Sequence, residues 1–132
     1  MKGIDTNVLV RFLVNDDPGQ AGLAYNLFKQ AESTHETLFI PLTVMLELIW
    51  VLESAYRIPR KDILESIHEL MLLSILKFEH QPALQRFLRL ARKNNLDLAD
   101  LLIASSAREQ GCKHVLTFDK KAAQSELFAL LR

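Results

Sequence analysis

Short runs of β-branched and large apolar residues alternate with longer segments of helical period along the chain, and that alternation leaves few folds open. Residues 1–4, 37–40, 75–78 and 115–118 read as strands. The tail carries a short helix and a last strand near 128–130. Helical stretches are predicted at 8–14, 19–31, 42–56, 59–73, 82–93 and 98–110. Ala24, Leu27, Phe28 and Ala31 recur at core spacing in the second of these. Pro59 suits a first helical turn, and Gly111 suits a stop. Asp5, Thr6 and Asn7 read as the turn out of the first strand. Strands alternating with helices imply an α/β fold, a central parallel sheet of four or five strands covered on both faces. With no repeat, linker or low-complexity tract, residues 1–132 are expected to form a single domain.

Charge and composition remove several classes. Lys plus Arg and Asp plus Glu number 16 each, which argues against a strongly basic coat for nucleic acid but leaves room for a site whose positive charge comes from a metal. The apolar stretch 39–52 contains Glu47 and falls short of the ~20 residues of a membrane span. No export signal is read at the start, because Asp5 interrupts it, so a cytoplasmic protein without membrane attachment is expected. Cys112 has no partner for a disulfide and is expected to pack as a small residue beside Gly111. His35, His68, His80 and His114 lack paired ligand spacing and read as surface or loop-edge residues. There is no glycine-rich phosphate loop, and Ser105 and Ser106 lack a nucleophile elbow.

An open parallel sheet places its sites beyond the carboxyl ends of strands, and two of four candidate acids stand there by sequence. Asp5 follows the first predicted strand and Asp119 the fourth; each suits a helix cap equally well. Asp100, behind Asp97 at a helix start, also fits a capping arrangement. Glu47 sits within Leu46-Glu47-Leu48-Ile49-Trp50-Val51-Leu52, a helix apolar nearly all round and so expected to be buried on most faces. There a carboxylate needs a partner, unless it reaches solvent along a narrow exposed strip. Taken together the acids can converge. Two carboxylates ~4 Å apart repel by about 4 kcal/mol at an effective dielectric near 20, so a cluster must take up protons or a cation. An all-oxygen donor set selects Mg²⁺ or Mn²⁺ over zinc.

At these residues the chain resembles the PIN domains, and among them the VapC toxins of bacterial toxin–antitoxin pairs. Ile4-Asp5-Thr6-Asn7-Val8-Leu9 resembles the first acidic motif of that family, and the Glu47 segment the second. Leu98-Ala99-Asp100-Leu101-Leu102-Ile103-Ala104 resembles the third, and Leu116-Thr117-Phe118-Asp119-Lys120 the fourth. Met45 departs from the small polar residue usual before the Glu, and the tail after Asp119 is short. The resemblance implies a three-layer α/β/α fold, Mg²⁺-dependent cleavage of RNA, an antitoxin that blocks the site, and a homodimer.

On that resemblance Asp5 and Asp100 would hold the principal ion, with Glu47 and Asp119 completing the acidic pocket. Asn7 and Thr117 are candidate supports for ligand or water, against local turn bonding. Lys120 and Lys121 are candidate RNA phosphate contacts. Arg86, Arg89, Arg92 and Lys93 read as a solvated helix face. The rival readings are a catalytically silent PIN-fold module that holds RNA or protein, and a receiver domain, which would want a second acid beside Asp5. The apolar content of 42–52 and 70–76 suits either a partner surface or plain core.

Overall fold

Aspartates and prolines set where the helices begin in the computed structural model, which describes residues 1–132. The chain forms two compact units, Met1–Glu79 and His80–Arg132. In the first, β1 (Lys2–Gly3) leads into α1 (Thr6–Leu13), whose N-cap is Asp5. Helix α2 (Pro18–Thr34) starts with Asp17 as cap and Pro18 in the first turn, where a missing N–H costs nothing. After β2 (Leu38–Ile40), Pro41 precedes α3 (Leu42–Ser54) and offers no side-chain cap. The Leu42 N–H instead donates to Glu79 Oε1 at 2.9 Å, from just past β3. Helix α4 (Arg60–Met71) follows Pro59, and β3 (Leu76–Phe78) completes the unit.

The three strands form a parallel sheet ordered β1-β2-β3, with Lys2 opposite Leu38 and Ile40 opposite Phe78. Leu38 and Ile40 are buried on the middle strand. Helix α1 packs against α2 and α3. Met45, Leu48, Ile49 and Leu52 form the buried stripe of α3, each contributing about 1.5–3 kcal/mol relative to exposure.

The second unit holds α5 (Gln81–Ala91), α6 (Leu98–Glu109), β4 (Val115–Thr117), a 3-10 turn at Ala122–Gln124 and β5 (Phe128–Leu130). Helices α5 and α6 pack together, and Arg86 ion-pairs with Glu109 at 2.9 Å between them. Gly111 ends α6 in the left-handed region at φ 93°, with its own N–H returning to Arg108 O and that of Cys112 to Ala107 O. Strands β4 and β5 are parallel partners, with Phe128 buried alongside Ala104 and Ala122.

The α/β class and parallel strands agree with expectation; the strand count of the sheet does not. In place of one sheet of four or five strands there is a three-stranded sheet and a separate two-stranded one. Strands of two or three residues carry few ladder bonds, and β4 directs its own to β5. Helix α1 starts at Thr6, because Asp5 is its cap, so Thr6 and Asn7 belong to the helix and not to a turn. Cys112 is exposed, since it lies outside the helix that Gly111 closes. The four histidines are exposed, as expected. No helix is long and apolar enough to cross a membrane.

Candidate active site

In the first unit the carboxyl end of β1 delivers Asp5 to the start of α1, where Oδ1 accepts the Thr6 N–H at 2.8 Å. Thr6 is the first residue of α1 and is buried at 3% exposure. Its hydroxyl donates to Glu47 Oε1 on α3. One residue therefore holds two carboxylates, Asp5 through its backbone and Glu47 through its side chain. Each acid keeps a second oxygen for another ligand. Asn7, also in the first turn, lines a cleft between α1 and α2 with Arg11, Gln20 and Leu23.

Most of α3 is buried or half-buried as expected, but Glu47 itself is exposed, which corrects the expectation of a buried carboxylate there. Thr43, Glu47, Trp50 and Ser54 all face solvent at helical spacing, and Trp50 is 63% exposed. The exposed strip is the one allowed as the alternative; the tryptophan within it disguises it as core.

In the second unit three aspartates approach one another. Asp97 caps α6 by accepting the Asp100 N–H at 3.1 Å. Asp119 sits beyond β4, where Oδ1 accepts the backbone N–H of Lys121 at 2.9 Å and of Ala122 at 3.2 Å. Its own N–H donates to Thr117 Oγ1 at 3.0 Å. The Asp100 carboxyl is pushed above the ordinary aspartate range, first by burial, then by repulsion from Asp97 and from Asp119. Lys120 and Lys121 are exposed directly after Asp119.

All the acids singled out in the sequence are thus placed in two groups, Asp5 with Glu47 and Asp100 with Asp119. Capping roles are also realised, since Asp5, Asp97 and Asp119 do accept from local N–H groups. Within neither unit do three His, Cys, Asp or Glu side chains gather tightly enough to enclose an ion by themselves. The donor chemistry nevertheless fits a hard cation. The groups are carboxylates, and Asp100 is a carboxyl whose ionisation is opposed by its neighbours, a cost that a bound cation removes. Sequence reasoning misses two residues. Thr6 reads as part of a turn; its signal is a hydroxyl at the first position of an apolar helix. Asp97 reads as a cap alone, although a cap three residues before Asp100 also adds a charge to it.

Arg89, Arg92 and Lys93 lie on the surface side of their helix or just past it, whereas Arg86 is held by Glu109. The PIN domain family model matches residues 3–126, which include every acid described above. A VapC ribonuclease of Aquifex aeolicus (strain VF5) is 28% identical over 121 residues, covering 92% of this chain and 89% of that protein.

Proposed function

The chain belongs to the PIN-domain family, and from that premise we propose that it is a metal-dependent ribonuclease, the toxin of a toxin–antitoxin pair. The observation that carries this reading is the charge at Asp100. Burial and two neighbouring carboxylates oppose its ionisation, and the chain is similar to a protein named as a ribonuclease. A structural cap would gain nothing from being crowded by like charges; a cation ligand would.

In this reading the two units work as one domain, which the span of a single family model across both supports. Asp5 and Asp100 would hold the principal Mg²⁺ or Mn²⁺, and Glu47 and Asp119 would complete the set. When bound, such an ion would offer Lewis-acid stabilisation of a scissile phosphate and a water of lowered pKa. The protein supplies fixed oxygens. Thr6 holds Asp5 and Glu47, and Thr117 holds the main chain at Asp119. Asn7, exposed in the first turn of α1, would orient water or ligand. Lys120 and Lys121 meet RNA phosphates beside Asp119. The partners are an RNA substrate, a small antitoxin and a second copy of the chain, for which the exposed Trp50 and Leu72 offer apolar surface. The setting is the cytoplasm.

The test is cleavage of a single-stranded RNA by wild type, Asp5→Asn and Asp100→Asn in Mg²⁺ and in EDTA. Cleavage by wild type in Mg²⁺ alone, lost in both variants, is the expected result. Equal cleavage by a variant removes that residue from the mechanism. RNA binding without cleavage under every condition overturns the enzyme and leaves a silent binding module.

A further inference from the structure

Thr6 and Ser105 are the buried polar residues of the chain, and Thr6 sends its hydroxyl out of its own helix to a carboxylate 41 residues away. Inside a helix a threonine hydroxyl has a ready acceptor in the carbonyl one turn back. At the first position of α1 no helical turn precedes it. The hydroxyl must therefore find a partner elsewhere or stay buried and unpaired, which is costly. Glu47 is that partner, and a bond to an ionised acceptor is among the stronger kinds.

The effect on Glu47 is larger than on Thr6. Glu47 is exposed on α3, and a glutamate in water samples many rotamers. A buried, β-branched donor fixes one of its oxygens while the other stays available. The same residue's backbone N–H holds Asp5 Oδ1. The relation between the two carboxylates is thus set through a single residue.

We infer that Thr6 is a positioning residue, which holds the Glu47 carboxylate ready beside Asp5 and so raises the affinity of the acidic pocket for a divalent cation. This rests on the metal-dependent reading above and goes beyond it in assigning a residue outside the acidic set. Groups that orient ligands rather than bind the metal commonly change affinity by ~10–100-fold when removed.

The experiment uses the full chain, without RNA, and measures Mn²⁺ binding by calorimetry. The proteins are wild type, Thr6→Val, which keeps shape and loses the hydroxyl, and Thr6→Ser, which restores it. The expected result is at least ~10-fold weaker binding for Thr6→Val and recovery in Thr6→Ser. In the Glu47→Gln background the Thr6→Val change should add little, because both act through one hydrogen bond. Side-chain ¹³C relaxation of Glu47 in the metal-free protein supplies a readout independent of the ion: Thr6→Val should loosen it, and Thr6→Ser should not. Wild-type affinity and wild-type Glu47 order in a folded Thr6→Val protein overturn the proposal. Wild type that binds no Mn²⁺ overturns the nuclease reading and this inference with it, a failure distinguished by needing no substitution to be seen.

Discussion

Replacing Asp100 by Asn should make the metal-free protein more stable while removing its capacity to bind a cation. The Asp100 carboxyl is pushed up by burial first, then by Asp97 and Asp119. Charge at this half-buried position is therefore a liability at neutral pH. Burial makes the largest part of that cost, each repulsion, screened by solvent, adds a few tenths of a kcal/mol, and the α6 N-terminus returns part of the total. A net gain of about 0.5–1 kcal/mol follows for Asp100→Asn, or roughly 2–4 °C in Tm for a chain of this size. The pH dependence has a definite sign. A carboxyl raised in the folded state stabilises the fold fully below its unfolded pKa, and that contribution is lost as pH rises through the folded value. The advantage of Asn should thus appear at neutral pH and vanish in acid, below the ordinary aspartate range near pH ~4. On the metal-dependent reading, Mg²⁺ should reverse the ranking. An ion at one hundred times its Kd stabilises wild type by about 2.7 kcal/mol, well beyond the gain from Asn. Thermal melts in EDTA and in saturating Mg²⁺, at neutral and acid pH, test all three points. A variant no more stable than wild type in EDTA at neutral pH, or a ranking indifferent to Mg²⁺, refutes the reasoning.

Glu79→Ala removes the acceptor for the Leu42 N–H, and the loss should be about 1 kcal/mol in a denaturant melt, with Glu79→Gln milder. Tyr56 donates to Asp16 Oδ2 at 2.8 Å, and Arg11 donates to both Tyr56 and Asp16. Asp16 is held below the usual carboxyl range chiefly by the Tyr56 hydroxyl, against an opposing effect of burial, with Arg11 adding to the lowering. A depressed carboxyl stabilises the fold above its unfolded pKa and loses that contribution as pH falls through the folded one. In Tyr56→Phe the Asp16 titration seen by NMR should therefore move to higher pH. Lys120→Glu with Lys121→Glu should weaken single-stranded RNA binding and reduce the salt slope by ~0.7 for each phosphate no longer neutralised; an unchanged slope rejects a phosphate role for this pair.

Element order and helix type are legible because each helix carries an apolar stripe and most starts carry a cap or proline. Gly111 marks the end of α6 for a specific reason, since the chain there takes a positive φ. Strand pairing is not legible: an apolar run announces a strand but not its neighbour, and β4 turns to β5. Of the candidate site, the four acids are singled out from motif context, yet the burial argument for Glu47 fails. Trp50 reads as core, and with it in solvent the strip Thr43, Glu47, Trp50 and Ser54 becomes visible. Thr6 escapes because hydrogen bonding between α1 and α3 spans 41 residues, and only folding reveals which hydroxyl lacks a local acceptor.

The bond from Leu42 to Glu79 also bears on synthesis. The helix carrying Glu47 opens on Pro41, whose carbonyl accepts from Val44 and Met45 but whose side chain cannot cap, and the acceptor for the Leu42 N–H arrives 37 residues later. A nascent chain halted before that glutamate leaves the ribosome would hold α3 with the Leu42 N–H lacking its acceptor. Completion of the segment that bears one acid thus waits on translation of the last residue of its unit, so a truncated product begins life with that helix incompletely tethered.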